Sequence, residues 1–371
     1  MTTINLTPST SADRYDFLDW LRVIAIFILL FYHTGMVFVG WDFHIQNAET
    51  LDSLRGPMDV AHRLRMPLLF VIAGVGLKFA MRNRTGGQVL QERTLRLFLP
   101  LVIGMLLIVP PQLYFERLSR GEWHGGYLDF LIQRVAQLEP YPKGNLSWHH
   151  LWFVMYLYVY VLLLMPLLLW WRRRPMLKPG YWIYSLGLPL AINEAILKPI
   201  FPESHNLISD WYTFNHYLLL TLYGFSLAST TSIWEWIAAR RQHTLVTTVA
   251  LIAVALLLRA LHLIPDTPLD ALIANLFTWF AILSMLGYGK VYLSLNNGFI
   301  RWARDASYPI YILHQTFIIA LAYFVIQTRW SATLKYWVIV LSTLLLCVLT
   351  YEYVIRRFAF VRPLFGMKPK A

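Results

Sequence analysis

The chain has 371 residues, of which 57% are hydrophobic and 14% charged, and its formal net charge at pH 7 is +12. This composition excludes an ordinary soluble domain and is typical of a polytopic membrane protein, because long apolar segments alternate with short polar ones. The single cysteine, Cys347, excludes an intramolecular disulfide and a thiolate cluster that would hold a metal ion.

Apolar runs of about 17 to 25 residues predict transmembrane helices. We therefore expect an all-α membrane bundle of about ten helices that forms one domain over residues 1–371. The first run is too long for a cleaved signal peptide, so it should remain as the first span. The predicted spans cover residues 18–40, 66–82, 97–115, 149–171, 181–198, 213–233, 244–264, 270–293, 307–327 and 334–356.

Basic residues concentrate in alternate connections between these spans, and short cytoplasmic loops are enriched in Lys and Arg. This pattern predicts that both termini, including the tail at residues 357–371, are cytoplasmic. The positive charge then reflects topology, so no nucleic-acid partner is needed to explain it. The residues that set this orientation are Arg14; Lys78, Arg82, Arg84, Arg93 and Arg96; Arg172, Arg173, Arg174 and Lys178; Arg240 and Arg241; Lys290, Arg301 and Arg304; and Arg356, Arg357, Arg362, Lys368 and Lys370.

The first span carries three ionisable residues, Asp19, Arg22 and His33. A charge at hydrocarbon depth is costly, so such residues indicate a functional site. At about 100° and 1.5 Å per residue, Arg22 and His33 lie on nearly the same helix face, roughly 16 Å apart. One stripe of this helix should face an enclosed polar site.

The second and third spans add further candidates. Arg65 precedes an apolar run in which Gly74 and Gly76 would let a neighbouring backbone or a ligand approach closely. Arg93 and Arg96 lie three residues apart, so one helix face presents two guanidinium groups that suit phosphates. Ordinary topological anchoring is the alternative interpretation of this pair.

Later spans contribute His150, His314 and Glu352. An interfacial histidine is commonly packing or anchoring, and Glu352 is expected to pair with an arginine. The histidines do not repeat at ligand spacing on one helix, so we expect no metal site. Residues 41–65 and 116–148 are predicted to be soluble outer stretches that form either an entrance for a polar acceptor or a solvated rim.

Together these motifs resemble membrane acyltransferase family three, and within it the bacterial glucan biosynthesis protein C group. The similarity extends over nearly the whole chain. One departure is Ala73, where many members carry serine. The matching motifs are residues 17–22 (FLDWLR) followed by His33, residues 65–74 (RMPLLFVIAG), 93–96 (RTLR), 150–153 (HLWF), 307–314 (SYPIYILH), 351–352 (YE) and 365–369 (FGMKP).

The resemblance implies an acyltransferase of the bacterial inner membrane. It would transfer an acyl group, with succinyl favoured over acetyl, from cytoplasmic acyl-CoA to a hydroxyl of a periplasmic glucan or other carbohydrate, and no metal is implied. His33 would act as general base, with a covalent acyl-histidine as the rival mechanism.

Roles for the other candidates follow from the same resemblance. Asp19 would hold Arg22, and Arg22 or Arg65 would stabilise the oxyanion or bind a succinyl carboxylate. Arg93 and Arg96 would bind CoA, while His150, His314 and Glu352 are candidates for substrate contact.

Two alternatives remain open on the residues alone. A proton-coupled transporter of a small polar or anionic solute also combines many spans with buried ionisable residues, although no repeated halves are visible. An unrelated membrane-bound acyltransferase would use a histidine with an asparagine, for which Asn275 is the deeply placed candidate.

Overall fold

Helices account for the regular structure of the described chain, apart from one isolated β-bridge between Pro140 and Leu146. The computed structural model describes residues 15–137, 139–142, 144–172, 174, 178–263 and 267–368. Eight helical segments in these ranges are long and apolar enough to cross a membrane. The predicted all-α polytopic bundle is therefore confirmed, whereas the single domain and the cytoplasmic termini stay predictions. Among the residues used to predict orientation, Arg14, Arg173 and Lys370 lie outside the described residues.

We number the main helices in chain order. They are α1 Asp16–Met36, α2 Arg55–Met81, α3 Gly86–Ser119, α4 Tyr127–Phe130, α5 Trp152–Trp171, α6 Trp182–Ser185, α7 Gly187–Leu197, α8 Trp211–Leu227, α9 Thr231–Ala239, α10 Arg241–Ala260, α11 Pro268–Tyr292, α12 Gly298–Val325 and α13 Ala332–Ile355. Short 3₁₀ helices occupy Asp52–Leu54, His149–Leu151 and Arg362–Phe365, and π-helical turns occupy Thr94–Phe98, Gly104–Ile108, Leu131–Val135 and Tyr351–Ile355.

Two predicted spans are helical but shorter than the eight. The span predicted at residues 181–198 is divided into α6 and α7, and the span predicted at 213–233 ends in α8 at Leu227. A separate helix, α9, then begins at Thr231.

The soluble stretch predicted at residues 41–65 is wrong in its second half. Helix α2 begins at Arg55, so Asp59, His62 and Arg65 are helical. Their polarity lowers the mean hydropathy, but Arg65 is buried, and Asp59 and His62 line the polar cavity described below.

Helices α1 and α12 run parallel. Asp19 pairs with Arg304 at 3.7 Å near their first turns, and the rings of His33 and His314 are 5.2 Å apart farther along both helices. The bundle end at which α1 and α12 begin and α13 ends is called the basic end here. Its arginines include Arg22, Arg304 and Arg356.

The backbones of α2 and α8 touch through two glycines. A Cβ built on Gly74 would lie 2.0 Å from Thr221 O, and one on Gly224 would lie 1.9 Å from Val71 O. By contrast, nothing lies within 4 Å of a Cβ on Gly76. Of the two glycines singled out in the sequence, Gly74 therefore serves close helix packing.

We expect Gly74→Ala to destabilise the protein by roughly 1 to 3 kcal/mol, because the added methyl must push α2 and α8 apart. Gly76→Ala, two residues along the same helix, is the matched control and should be neutral or slightly stabilising. Thermal unfolding of the purified protein in detergent measures both. Equal melting temperatures for the two variants would contradict the close contact.

Candidate functional site

Three histidines from separate helices meet in the interior of the bundle. The ring centroids of His33 and His314 are 5.2 Å apart, and those of His314 and His150 are 5.4 Å apart. His33 comes from α1, His314 from α12, and His150 from the 3₁₀ turn that precedes α5. The fold therefore brings together three residues that are distant in sequence.

His150 is held in place by hydrogen bonds at both ring nitrogens. Its Nε2 donates to Ile312 O at 2.9 Å, and its Nδ1 lies 3.4 Å from Gln112 Nε2. The hydroxyl of Tyr311 donates to the backbone carbonyl of His150 at 2.5 Å. With both nitrogens engaged, His150 positions its neighbours and has no free site for proton transfer.

His33 and His314 each retain a ring nitrogen that has no partner in the described part of the chain. His314 Nδ1 donates to Tyr311 O at 2.7 Å, so its Nε2 carries a lone pair, and this buried atom is unpaired. His33 Nδ1 is also buried and unpaired. Buried polar atoms normally find partners, so two unpaired imidazole nitrogens in one cluster indicate a site for a substrate.

Arg65 places a buried cation on the ring of Tyr32, the residue that precedes His33. The residue is 7% exposed, and its guanidinium lies 3.3 Å from the centroid of the Tyr32 ring. Among the described residues, its Nε and Nη1 have no hydrogen-bond partner. A guanidinium only donates, so these groups suit a carbonyl oxygen, an oxyanion or a carboxylate.

A second network, which the sequence did not predict, supports the cluster from the other side. His44 Nδ1 hydrogen-bonds Glu116, whose other oxygen lies 3.0 Å from Arg120. Gln315 Nε2 lies 3.2 Å from both His44 Nε2 and Gln112 Oε1, which links this pair to His150. The sequence predicts Glu116 in the soluble outer stretch at residues 116–148. In the structure Glu116 lies inside α3 and is 0% exposed.

Asp19, Arg22 and Glu352 lie at the basic end and do not join the histidine cluster. Asp19 pairs with Arg22 at 2.9 Å, as their spacing predicted. Glu352 pairs with Arg356 at 2.9 Å and accepts a hydrogen bond from Trp302 Nε1. The expected ion pair of Glu352 with an arginine is therefore present, and this contact accounts for the carboxylate.

Arg93 and Arg96 lie on α3, where Arg96 belongs to a π-helical turn. Arg96 Nε lies 3.4 Å from Glu92, whereas Arg93 Nη2 donates to Gly76 O at 3.4 Å. Arg93 Nε is buried, and no described residue pairs with it. Arg93 thus keeps an unpaired N–H group that can donate to an anionic ligand.

Imidazole nitrogens and a buried guanidinium are the kinds of groups that acyl or proton transfer uses. In the chain as described, no group of three or more His, Cys, Asp and Glu residues is arranged to hold a metal ion. The model of the acyltransferase 3 family, described as an acyltransferase domain, matches residues 15–352. The chain belongs to the acyltransferase 3 family.

The predicted membership of this family is thereby confirmed, while the glucan biosynthesis group stays a prediction. No curated protein and no solved structure matches the chain. As a member of the acyltransferase 3 family with several membrane-spanning helices, the protein is a multi-pass membrane acyltransferase.

Proposed function

We propose that this acyltransferase moves an acyl group from cytoplasmic acyl-CoA across the bacterial inner membrane to a hydroxyl of a periplasmic glucan or another carbohydrate. The observation that supports this proposal is the unpaired Nδ1 of His33, together with the unpaired donors of Arg65, whose guanidinium lies on the ring of the adjacent residue Tyr32. A base and a cation that share one buried site are what attack on a thioester requires.

The proposed reaction assigns one role to each group. His33 takes the proton of the acceptor hydroxyl while the hydroxyl oxygen attacks the thioester carbon. Arg65 stabilises the negative charge that develops on the carbonyl oxygen. The carbon–sulfur bond then breaks, and the imidazolium returns its proton to the CoA sulfur, which leaves an ester and free CoA.

His314 and His150 have supporting roles beside His33. The unpaired Nε2 of His314 accepts a hydrogen bond from the acceptor or from His33. His150 and Tyr311 hold the His314 turn through their mutual contacts.

The donated group is proposed to be succinyl, with acetyl as the alternative, and Arg65 would bind the succinyl carboxylate through its unpaired Nε and Nη1. Arg22, which pairs with Asp19, lies roughly 16 Å along α1 from His33, too far to reach the carboxylate of a succinyl group whose carbonyl carbon lies at His33. The donor phosphates are proposed to bind at Arg93 and Arg96.

We expect the double replacement of Arg93 and Arg96 by alanine to weaken acyl-CoA binding by roughly 10²- to 10⁴-fold, since two groups are lost and each hydrogen bond to a charged group contributes about 1.5 to 3 kcal/mol. Equilibrium binding of acyl-CoA to the purified protein measures the effect. Arg357→Ala removes an exposed charge from the same end and should leave the affinity unchanged. A double variant with the affinity of the wild type would return this pair to a topological role.

The proposed function is tested by mass spectrometry of periplasmic glucans and surface polysaccharides from cells with the protein, without it, or with His33→Ala. A glycan that gains a succinyl or acetyl group only with the intact protein would identify both acyl group and acceptor. If no glycan changes, a carbohydrate acceptor is contradicted.

A further inference from the structure

A polar cavity of about 230 Å³ lies between α2, α7, α8 and α11. The chemistry proposed above does not use it. Its polar lining includes His62, Arg63, Glu194, Lys198, Glu203 and His216.

The charges around this cavity compensate one another. Glu194 pairs with Lys198 at 2.7 Å and with Arg63 at 3.7 Å. Glu203 pairs with His205 at 3.0 Å and with His62 at 3.6 Å. The whole lining holds three carboxylates, with Asp59, and three permanent cations, with Arg259, so neither sign of charge is in excess and an uncharged polar ligand is favoured over an anion or a cation.

One polar group in the wall has no partner of its own. His216 is 7% exposed and lines the cavity, and its Nδ1 has no hydrogen-bond partner in the described ranges. Leaving such a group unpaired costs free energy unless a ligand or water fills the space.

Glu203 supplies a permanent acceptor on another wall. Burial raises the pKa of its carboxyl, but the neighbouring rings of His205 and His62 outweigh burial and hold the pKa well below its usual range. Its side chain is 25% exposed, so it can accept a hydrogen bond from a hydroxyl in the cavity.

The cavity adjoins the histidine cluster through His62. Its Nδ1 lies 3.2 Å from the hydroxyl of Tyr32, whose ring carries the guanidinium of Arg65. Tyr32 directly precedes His33 in α1. His62 and Tyr32 therefore connect the cavity wall to Arg65, and the chain connects Tyr32 to His33.

We propose that this cavity binds one sugar ring of an uncharged, polyhydroxylated acceptor and presents a hydroxyl of that molecule to His33. Each sugar hydroxyl both donates and accepts, which matches a lining of carboxylates, cationic donors and the rings of Tyr212 and Tyr217. A volume of about 230 Å³ is many times that needed for one water molecule, so the cavity has room for a sugar ring. This inference rests on the proposed acyl transfer to a carbohydrate.

The test is isothermal titration calorimetry of the detergent-purified protein with a linear glucose tetrasaccharide. We expect Glu203→Gln to weaken binding at least about tenfold, because a charged acceptor is lost at constant shape. His216→Phe keeps an aromatic ring but removes its nitrogens, tests an independent wall and should also weaken binding. The control Glu122→Gln removes a carboxylate that pairs with Arg117 outside the cavity and should bind as the wild type does.

Steady-state kinetics separate this proposal from the function on which it rests. Glu203→Gln should raise the KM for the acceptor while the affinity for acyl-CoA and the kcat at saturating acceptor stay near those of the wild type. Unchanged acceptor KM in both cavity variants, with an active wild type, would overturn the cavity and leave acyl transfer intact. A wild type that neither binds the tetrasaccharide nor acylates any glycan would overturn both.

Discussion

Replacing His33 by alanine is expected to lower acyl transfer by about 10²- to 10⁴-fold, the usual contribution of a general base. Its Nδ1 has no hydrogen-bond partner in the described chain, so the replacement removes no observed hydrogen bond from that atom. The protein should therefore remain abundant in the membrane. Turnover of purified protein with acyl-CoA and acceptor, together with immunoblotting of membranes, measures both quantities.

His150→Ala provides the contrast, because it removes the hydrogen bonds to Ile312 and Gln112. We expect this variant to lose abundance or thermal stability along with activity. Substantial turnover in the His33 variant would remove His33 from the mechanism. An acyl adduct on His33 in the intact mass of protein mixed with acyl-CoA alone would favour the acyl-histidine mechanism instead.

Arg65→Ala is expected to lower kcat by about 10²- to 10³-fold, the range found when one donor to an oxyanion is removed. Arg65→Lys should recover part of this loss, since it keeps the charge but not the planar group that lies on Tyr32. Single-turnover kinetics with prebound acyl-CoA isolates the chemical step.

Arg55→Ala is the matched control for Arg65. Arg55 begins the same helix, and its side chain is 52% exposed in a pair with Asp52. We expect this control to react at the rate of the wild type. If Arg65→Ala changed acyl-CoA affinity while single-turnover rates held, Arg65 would bind the donor and would not stabilise the transition state.

Contacts between residues close in sequence were predictable. Asp19 and Arg22 are three residues apart, and Glu352 and Arg356 are four apart. Both ion pairs form because residues three or four apart are neighbours on the surface of a helix. The spacing of Arg22 and His33 likewise predicted that one face of α1 lines a polar interior.

The assembly of the site was not predictable from local pattern. His33 and His314 meet only because α1 and α12 pack in parallel. Nothing in the sequence of either segment indicates that these two helices pack together. The sequence did not indicate a helix at His62, because a helix that lines a polar cavity has the same low hydropathy as a loop. Glu203 is 141 residues from His62 and lies in a connection without regular structure, so no periodicity indicated their contact.

The backbone contact of Gly74 with α8 also bears on how substrates reach the interior. It joins the helix of Arg65 to the helix of His216 so closely that neither can slide past the other without a steric clash. Arg65 and the cavity wall that carries His216 therefore keep a fixed spacing, so we expect a substrate to enter without separating α2 from α8.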